Sequence, residues 1–272
     1  MDLNAVEGVV RPGCRAELPA RQDGDAFLAG GTWVFSEPQP HLRRLIDLAA
    51  LGWPAIETHV NGISIAATCT LAELEAMAAN AAFPAAALIQ QCCRALWGSF
   101  KIWNMATVGG NLCLALPAAP MAALAVALDG VCTVWRADGT DESVPARNFI
   151  LGPGKTCLAP GDVLRRVAIG REALEGRFAF RQVSLTEEGR SAALVIGRAV
   201  GGGVKLTITA ATRRPVQCGF TTPPDTERVV RDIDRTVDAA GGWFDDCHGA
   251  PDWRRHMTHR LAGEICRELA AR

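Results

Sequence analysis

The amino-acid sequence predicts an α+β protein. Segments typical of strands and of helices intermingle along the 272 residues, without the strict strand–helix alternation of a doubly wound sheet. The Gly-x-Gly-x-x-Gly fingerprint of a dinucleotide-binding Rossmann fold is absent, since Gly-Pro-Gly at 152–154 has no third glycine after it. A hydrophobic fraction of 49% with 21% charged residues is typical of a globular chain with a substantial core.

Short apolar runs between turn residues predict the strands. The pair Asn61-Gly62 is a strong signal for a two-residue turn and places a hairpin over residues 56–65. The glycine-containing stretches Asn104 to Asn111, Phe149 to Gly154 and Gly201 to Gly203 are predicted as loops or turns. The other predicted strands cover residues 26–29, 45–48, 131–135, 163–169 and 204–209.

Capping residues and prolines predict the helices. Thr70 with Glu73 three residues later forms a capping box, and Pro84 and Pro120 each begin an apolar helical stretch. The predicted helices cover residues 71–80, 84–97, 120–129, 225–239 and 251–271. The last helix carries a predicted core-facing stripe at four-residue intervals, formed by Trp253, Met257, Leu261, Ile265 and Leu269.

The charge balance excludes several partners. A net charge of −1 and a pI near 6.5 leave no basic footprint for nucleic acid and no polybasic segment for a membrane surface. The longest uncharged apolar run, residues 112–128, is shorter than the ~20 residues of a membrane span. Asp2 and Glu7 make the N-terminus unlike a secretory signal. We therefore expect a soluble, cytoplasmic protein without a membrane span.

No metal site or catalytic constellation is predicted. None of the ten cysteines falls in a Cys-x-x-Cys pair, so they are interpreted as reduced thiols rather than zinc or iron–sulfur ligands. His256 and His259 are three residues apart on a predicted helix, but no third ligand accompanies them. No Ser–His–Asp arrangement and no pair of carboxylates stands out, so no catalytic residue is assigned.

Two glycine segments are the strongest functional signal. Glycine pairs permit tight turns and close approach of a ligand, and successive backbone N–H groups in such turns bind anions. Either segment alone is more simply an ordinary glycine turn. Together they predict a diphosphate held from two sides, by Ala29-Gly30-Gly31-Thr32 and by Thr107-Val108-Gly109-Gly110-Asn111.

The order of several motifs resembles the FAD-binding subunit of the molybdenum hydroxylases, a family that includes subunits of xanthine dehydrogenases, carbon monoxide dehydrogenases and related aldehyde and heteroaromatic dehydrogenases. The resemblance spans nearly the whole chain, and its first and third motifs are specific in combination. These motifs are Leu28 to Thr32, Ala67 to Leu74, Lys101 to Asn111, Phe149 to Gly152 with Thr156 to Leu158, and Phe180 to Gln182. The final helix, with Trp253 to His256, is similar to the family's C-terminal domain.

This resemblance implies a two-subdomain FAD-binding fold of the PCMH/VAO type, followed by a small α+β C-terminal domain. The implied boundaries are an N-terminal FAD-binding subdomain over residues 1–55, a central subdomain over 56–172 and a C-terminal domain over 173–272. FAD would lie between the first two.

The resemblance also implies the residues of the site. Backbone amides of residues 30–33 and 108–111 would hold the diphosphate, assisted by the hydroxyls of Thr32 and Thr107. Arg181 would place a positive charge near the flavin ring, although a surface arginine is an equal alternative. The implied cofactor-binding residues are Leu28, Ala29, Gly30, Gly31, Thr32, Trp33, Thr68, Thr107, Val108, Gly109, Gly110, Asn111, Leu158 and Arg181.

The implied function is electron transfer. A large subunit with a molybdenum cofactor would oxidise the substrate, and a small subunit with 2Fe-2S clusters would pass electrons to the FAD of this chain. The flavin would then reduce NAD⁺, oxygen or another acceptor, in a heterotrimer or a dimer of heterotrimers. Two alternatives are a structural subunit that has lost FAD and a stand-alone flavin reductase; the substrate stays open.

The chain departs from the family pattern around the implied site. Trp33 and Trp103 stand where an aspartate and an arginine are usual, and Leu116 and Pro120 stand at positions that are usually acidic. Losing one hydrogen bond to a ribose hydroxyl costs about 1 kcal/mol, so FAD binding is expected to weaken without vanishing. The chain has no tyrosine, so an aromatic face for the flavin would come from Trp33 or Trp103.

Overall fold

The first sheet consists of three parallel strands in the spatial order β1-β3-β2. The computed structural model describes residues 3–271. Two short 3-10 helices, Arg15–Glu17 and Leu48–Leu51, flank this sheet. The two strands predicted here are confirmed to within one residue. The strands are β1 (Gly8–Val10), β2 (Asp25–Leu28) and β3 (Arg44–Asp47).

An ion pair sets the register of this sheet. Asp25 and Arg44 are paired neighbours on β2 and β3, and the carboxylate accepts Nε at 2.8 Å and Nη2 at 2.6 Å. The same carboxylate accepts the backbone N–H of Gln22 at 2.7 Å. Asp25 is buried, and the hydrogen bond from Arg44 lowers its pKa. This pair anchors the strand that leads into the first glycine segment.

A five-stranded antiparallel sheet in the order β4-β5-β10-β6-β7 forms the second unit. All eight residues of the helix Pro120–Ala127, α5, are buried. In chain order the elements are β4 (Ile56–His59), β5 (Gly62–Ala66), α1 (Leu71–Ala79), α2 (Ala86–Ala95), α3 (Phe100–Trp103), α4 (Val108–Leu114), α5 (Pro120–Ala127), β6 (Val131–Trp135), β7 (Asp141–Pro145), α6 (Ala146–Phe149), β8 (Ile150–Gly152), β9 (Lys155–Thr156), β10 (Val163–Gly170) and α7 (Arg171–Leu174).

The third unit is a four-stranded antiparallel meander covered by two helices. Its elements are β11 (Phe178–Val183), β12 (Ala193–Val200), β13 (Gly203–Thr209), β14 (Val216–Phe220), α8 (Thr226–Ala239) and α9 (Pro251–Ala270). Strand β12 is buried on both faces: Leu194 and Ile196 belong to the core around α5, whereas Ala193 and Val195 face α8 and α9. The second and third units therefore share a packed surface and are not independent lobes.

Most predicted elements are present. The capping box is confirmed, because Thr70 Oγ1 accepts the Glu73 N–H and the Glu73 carboxylate accepts the Thr70 N–H. The second helix begins at Ala86, two residues later than predicted. Both C-terminal helices are confirmed, and Leu261, Ile265 and Leu269 of the predicted stripe are buried. The domain boundaries implied by the resemblance stay predictions.

The hairpin over 56–65 forms, but its turn residues differ from the prediction. The turn consists of Val60 and Asn61, and Gly62 already pairs with His59 in the ladder. Gly62 has φ +139°, and a β-carbon there would overlap the carbonyl oxygen of Ile169 on β10. The glycine is therefore required both by its own positive φ and by the neighbouring strand β10.

Two stretches that were predicted as loops contain regular secondary structure. The stretch from Asn104 to Asn111 runs into helix α4, which begins at Val108. The stretch from Phe149 to Gly154 contributes strand β8, which pairs with β9. Strands β1, β7, β11, β12 and β14 were not predicted. The edge strand β7 is largely exposed and polar, so it is defined by pairing with β6 and has little apolar pattern of its own.

Arg254 on α9 holds the C-terminal unit together. Its guanidinium is almost fully buried and donates to the carbonyl oxygens of Gly249, at 2.8 Å, and Ala210, and to the Asp246 carboxylate. The guanidinium also lies 5.5 Å from the centre of the Phe244 ring. This side chain ties the loop before α9 to the end of β13. Within residues 3–271, no helix is both long and apolar enough to cross a lipid bilayer.

Replacing Arg254 with Met is expected to lower the free energy of unfolding by about 3 kcal/mol, because buried acceptors and a carboxylate lose their partner. Chemical unfolding followed by circular dichroism measures the loss. Arg260→Met on the same helix is the control, since it removes only the exposed pair with Glu264 and should cost under about 1 kcal/mol. Equal losses in the two variants would contradict the role assigned to Arg254.

The Asp25–Arg44 pair predicts a pH dependence. The folded-state pKa of Asp25 lies below its ordinary value of 3.8, so its stabilisation is present above that value and is lost as the pH falls through the folded-state pKa. The difference in unfolding free energy between the wild type and Asp25→Asn should therefore shrink as the pH is lowered below about 4. A difference that stays constant from neutral to acid pH would contradict this assignment.

Candidate functional site

A cleft of about 880 Å³ lies between the first sheet and the central unit. This volume falls within the range of about 300–1,000 Å³ that is usual for small-molecule and cofactor sites. The segment that follows β2 forms one wall, α4 and the residues after it form the second, and the chain leading into β10 forms the third. The residues that line these three walls include 29–34, Thr107, 109–111, Leu116, Ala118, Ala119, 158–160 and 162–164.

The segment after β2 presents unpaired backbone donors. None of the N–H groups of residues 30–34 has an acceptor within the described part of the chain, residues 3–271. Gly31 has φ +69°, and a tight turn follows in which Phe35 N–H donates to the Gly31 carbonyl at 2.9 Å. Five successive unpaired amides in residues that line a cleft suit an anion.

The second glycine segment differs from the sequence expectation because its amides already have acceptors. Thr107 is the N-cap of α4, and its Oγ1 accepts the Gly110 N–H at 3.0 Å. The N–H groups of Val108 and Gly109 donate to the carbonyls of Cys69 and Ala67, and Asn111 donates to Thr107. The expected grip by amides 108–111 is therefore absent in this structure, since the N-terminus of a seven-residue helix is packed against the chain before α1.

The glycines of both segments serve close packing. A β-carbon on Gly30 would overlap the carbonyl oxygen of Met105, so the first segment lies directly on the chain that leads into α4. A β-carbon on Gly109 would overlap Ala67. These contacts bring the two segments to the same cleft, and any larger residue at Gly30 would separate them.

The third wall is held by a buried ion pair. Asp162 accepts Arg136 Nη1 at 2.5 Å and the N–H groups of Ala137 and Ala159 at 3.0 and 2.7 Å. Burial disfavours the charged carboxylate, but these hydrogen bonds outweigh it and lower the pKa of Asp162. The negative charge of Asp162 at the cleft wall is therefore already neutralised by Arg136. Its hydrogen bond with the Ala159 N–H also holds the backbone next to Leu158 in place.

Three further charged residues, all of them exposed, belong to the lining of the cleft: Arg21, Glu37 and Arg190. None of the three has an ion pair or a side-chain hydrogen bond among the residues that the structure describes. Cys113 also borders the cleft, as an exposed free thiol. Across residues 3–271 no group of three or more His, Cys, Asp or Glu side chains could hold a metal ion.

The structure places most of the predicted residues in one cleft. The lining includes ten of them: Ala29, Gly30, Gly31, Thr32, Trp33, Thr107, Gly109, Gly110, Asn111 and Leu158. The other four do not line it: Leu28, Thr68, Val108 and Arg181. Leu28 and Val108 lie in β2 and α4 directly beside lining residues. The cofactor-binding role of all fourteen stays a prediction.

Arg181 lies in the C-terminal unit and has carboxylate partners. Its Nη2 donates to Glu268 at 2.6 Å, and its Nε lies 3.6 Å from the Glu264 carboxylate, both on α9. The sequence offered two roles for this arginine, and its ion pairs favour the surface role. Arg190 was not predicted, since the turn that contains it has the composition of an ordinary solvated turn.

Of the positions where the chain departs from the family pattern, some line the cleft and others do not. Leu116 lines the cleft, whereas Pro120 is the first residue of α5 and is buried outside the lining. Trp33 lines the cleft and can offer an aromatic face; Trp103 instead donates its indole N–H to the Leu96 carbonyl at 3.0 Å. Trp97, which was not predicted, lines the cleft and is 59% exposed.

Comparison with known proteins identifies the family. A family model described as the FAD binding domain in molybdopterin dehydrogenase matches residues 15–171, more than half of the chain. No curated protein sequence matches. The chain belongs to this family of FAD-binding domains, which confirms the family and the class of oxidoreductase subunit that the motifs indicated.

Solved structures share the fold. A chain of quinoline 2-oxidoreductase from Pseudomonas putida 86 superposes with a TM-score of 0.79 at 20% identity, covering 99% of this chain and 98% of that one. A chain of reconstituted CO dehydrogenase from Oligotropha carboxidovorans gives 0.80 at 20% identity, with 100% of both chains covered. Carbon monoxide dehydrogenase from Hydrogenophaga pseudoflava gives 0.77 at 17% identity, covering 100% and 99%. These likenesses confirm the predicted fold class.

The residues present fit FAD. The cleft offers unpaired amides for a diphosphate, an aromatic side chain at Trp33 and apolar walls around Leu116 and Leu158. Charge-assisted hydrogen bonds from amides to a phosphate are roughly twice as strong as neutral ones. The backbone requirement for the cofactor is therefore met by the first glycine segment alone.

Gly30→Ala tests the contact that brings the two segments together. The added β-carbon would overlap the Met105 carbonyl oxygen, so we expect FAD affinity to fall at least tenfold, or about 1.4 kcal/mol. Quenching of tryptophan fluorescence on FAD addition measures the affinity. Gly152→Ala is the control, because no atom lies within 4 Å of its added β-carbon. Unchanged affinity in Gly30→Ala would show that this contact does not shape the site.

Proposed function

We propose that this chain is the electron-transferring FAD subunit of a molybdenum hydroxylase complex. The observation that carries the proposal is the row of unpaired amides at residues 30–34, which line a cofactor-sized cleft in a member of an FAD-binding family. FAD supplies the chemistry that accepts electrons from one redox partner and delivers them to another. The chain itself binds, orients and shields the cofactor.

Each wall has a distinct task in this proposal. The amides of residues 30–34 and the Thr32 hydroxyl hold the diphosphate, and the Thr107 hydroxyl, whose oxygen accepts the Gly110 N–H, has its proton free to donate. Gly109, Gly110 and Asn111 form a close-packed wall without protruding side chains of large size. Asn111 Oδ1 accepts the Met121 N–H at 2.9 Å, which ties α4 to α5 behind that wall.

The remaining predicted residues support this arrangement from outside the lining. Leu28 precedes the first glycine segment and Val108 lies within the second. Thr68 follows Ala67, whose carbonyl accepts the Gly109 N–H at 2.8 Å. The domain division at residues 55/56 and 172/173 is part of the same proposal. FAD then lies between the first two of these domains, as the position of the cleft supports.

The partners in this proposal are a large subunit with a molybdenum cofactor and a small subunit with 2Fe-2S clusters, in a heterotrimer or a dimer of heterotrimers. Among the similar structures, one is described as a Cu,Mo-CO dehydrogenase, and the Hydrogenophaga pseudoflava enzyme is described as lacking the Mo-pyranopterin moiety of its molybdenum cofactor. A cytoplasmic location agrees with the ten cysteines, all of which are free thiols. The final acceptor is NAD⁺, oxygen or another oxidant.

One alternative has a specific observation behind it. Leu116 presents an apolar side chain to the cleft where the family pattern has a polar, acidic position, and Pro120 does not reach the cleft at all. A chain that had lost FAD and only connected the other subunits of the complex would tolerate an apolar residue at position 116 and a proline at position 120. The free amides favour the FAD-binding proposal instead, because successive unpaired N–H groups at a cleft suit an anion.

Purification of the full chain with the subunits that accompany it tests the proposal. We expect a flavin absorbance spectrum, about one releasable FAD per chain for the cleft described above, and iron and molybdenum in the same complex. Reduction of that flavin should require the substrate of the molybdenum subunit. A colourless chain that still assembles would favour the structural alternative, and a monomer that reduces a small molecule alone would favour a stand-alone reductase.

A further inference from the structure

An exposed apolar cluster lies on one short segment of the central unit. Eleven large hydrophobic side chains are exposed within residues 3–271, and four of them fall among nine consecutive residues, 97–105. These four, here called the apolar patch, are Trp97, Phe100, Ile102 and Met105, and Phe100 is 72% exposed. Such a concentration on a protein surface is typical of an interaction site, whereas scattered single exposed side chains are ordinary.

The segment that carries the apolar patch is folded against itself. The Trp103 indole donates to the Leu96 carbonyl at 3.0 Å, and the Ala106 N–H donates to the Ile102 carbonyl at 2.7 Å. A β-carbon on Gly98 would lie 3.0 Å from Ile102 Cγ2, so these two residues pack closely. The patch is therefore a preformed surface, and a partner that covers it does not first have to order the segment.

The apolar patch borders the cleft. Trp97 and Ile102 are among the residues that line the cleft. Gly30 packs against the carbonyl of Met105, so the patch also adjoins the first glycine segment. A protein that covers the patch therefore lies at the edge of the cleft, next to the unpaired amides of residues 30–34.

Lys101 gives the apolar patch one unbalanced positive charge. It lies between Phe100 and Ile102, is exposed, and has no ion pair or side-chain hydrogen bond among residues 3–271. Residues 76–128 contain no Asp or Glu. The surface that complements this patch is therefore apolar and carries a carboxylate opposite Lys101.

The same charge disfavours two other occupants. In a symmetric contact between two copies of the chain, the patch would face itself and bring two Lys101 ammonium groups together without a counter-ion. An anionic membrane surface attracts clusters of about four to eight basic residues, whereas Lys101 is the only charged residue of the segment 97–105. A different protein with a complementary carboxylate is the occupant that the charge favours.

We propose that the apolar patch is the docking surface of the protein that delivers electrons to the FAD of this chain. This inference rests on the proposed function. Electron transfer requires the two redox centres to be held close together, and the patch adjoins the amides that are free for the cofactor. The partner is oxidised as it passes two electrons to the bound FAD, and solvent supplies the accompanying protons.

The first test is the stability of the complex, purified through a tag on the full chain and followed by mass photometry on dilution. Phe100→Ser and Lys101→Glu should each raise the dissociation constant at least tenfold, since one removes an aromatic anchor and the other repels the carboxylate. Neither residue lines the cleft, so the FAD content should stay that of the wild type.

Two controls carry similar substitutions elsewhere on the surface. Val60→Ser removes an apolar side chain that is 76% exposed in the β4–β5 turn. Lys155→Glu reverses the charge of an exposed lysine on β9 that has no ion pair in residues 3–271. Both should leave the dissociation constant within twofold of the wild type.

The second test is the rate of flavin reduction in the complex. Substrate reduces the flavin through the partner, whereas dithionite is a small reductant that reaches it directly. Phe100→Ser should slow reduction by substrate at least tenfold and leave reduction by dithionite unchanged. Loss of a subunit from this variant with an unchanged rate of reduction by substrate would overturn the inference, because the lost subunit would not be the electron donor.

The outcomes separate this inference from the proposed function. If the wild-type chain binds no FAD, the proposed function itself fails. If the wild-type complex contains FAD and both variants assemble and react like it, the inference alone is overturned. A wild-type chain that dimerises alone by light scattering, or binds vesicles of anionic phospholipid, and loses that property in Phe100→Ser would assign the patch to a second copy or to a membrane and overturn the inference.

Discussion

The close approach of Gly30 to the carbonyl of Met105 is the contact on which the candidate site depends. It joins the end of β2 to the chain that enters α4, two parts of the molecule separated by more than seventy residues of sequence. A β-carbon at this position would overlap backbone and not a flexible side chain, so the contact cannot relax by rotamer change. The Asp25–Arg44 pair and the Thr107 cap hold the two sides of this contact in place.

This contact gives the two glycine segments different roles. The first segment leaves its amides unpaired, and these amides can bind an anion. The second has its amides committed to Thr107, Cys69 and Ala67, and it supplies a rigid, close-packed wall. The pattern of Gly-Gly with a hydroxyl residue is the same in both sequences. What differs is whether another chain segment supplies acceptors, and that is decided by packing.

The same distinction separates Arg181 from Arg190. Both are arginines in the C-terminal unit close to each other in sequence, and local composition favours neither. Arg181 lies on β11 beneath α9, where Glu264 and Glu268 neutralise it. Arg190 lies in the turn before β12, and the packing of β12 against α5 brings that turn to the cleft. Glu264 and Glu268, more than eighty residues further along the chain, therefore decide that Arg181 is the paired arginine.

The sequence by itself determined the α+β class, the capped helix after Thr70, the two C-terminal helices and the family, because these follow from local periodicity, capping chemistry and ordered motifs. Ten of the fourteen cofactor-binding residues that the sequence predicted line one cleft in the structure. Only the tertiary structure decided that Gly62 and Gly30 must stay small because other segments of the same chain lie against them. It also decided that β7 is a strand, and which amides and arginines lack hydrogen-bond or ion-pair partners. Those properties depend on acceptors and carboxylates supplied from distant parts of the chain, and no local pattern records them.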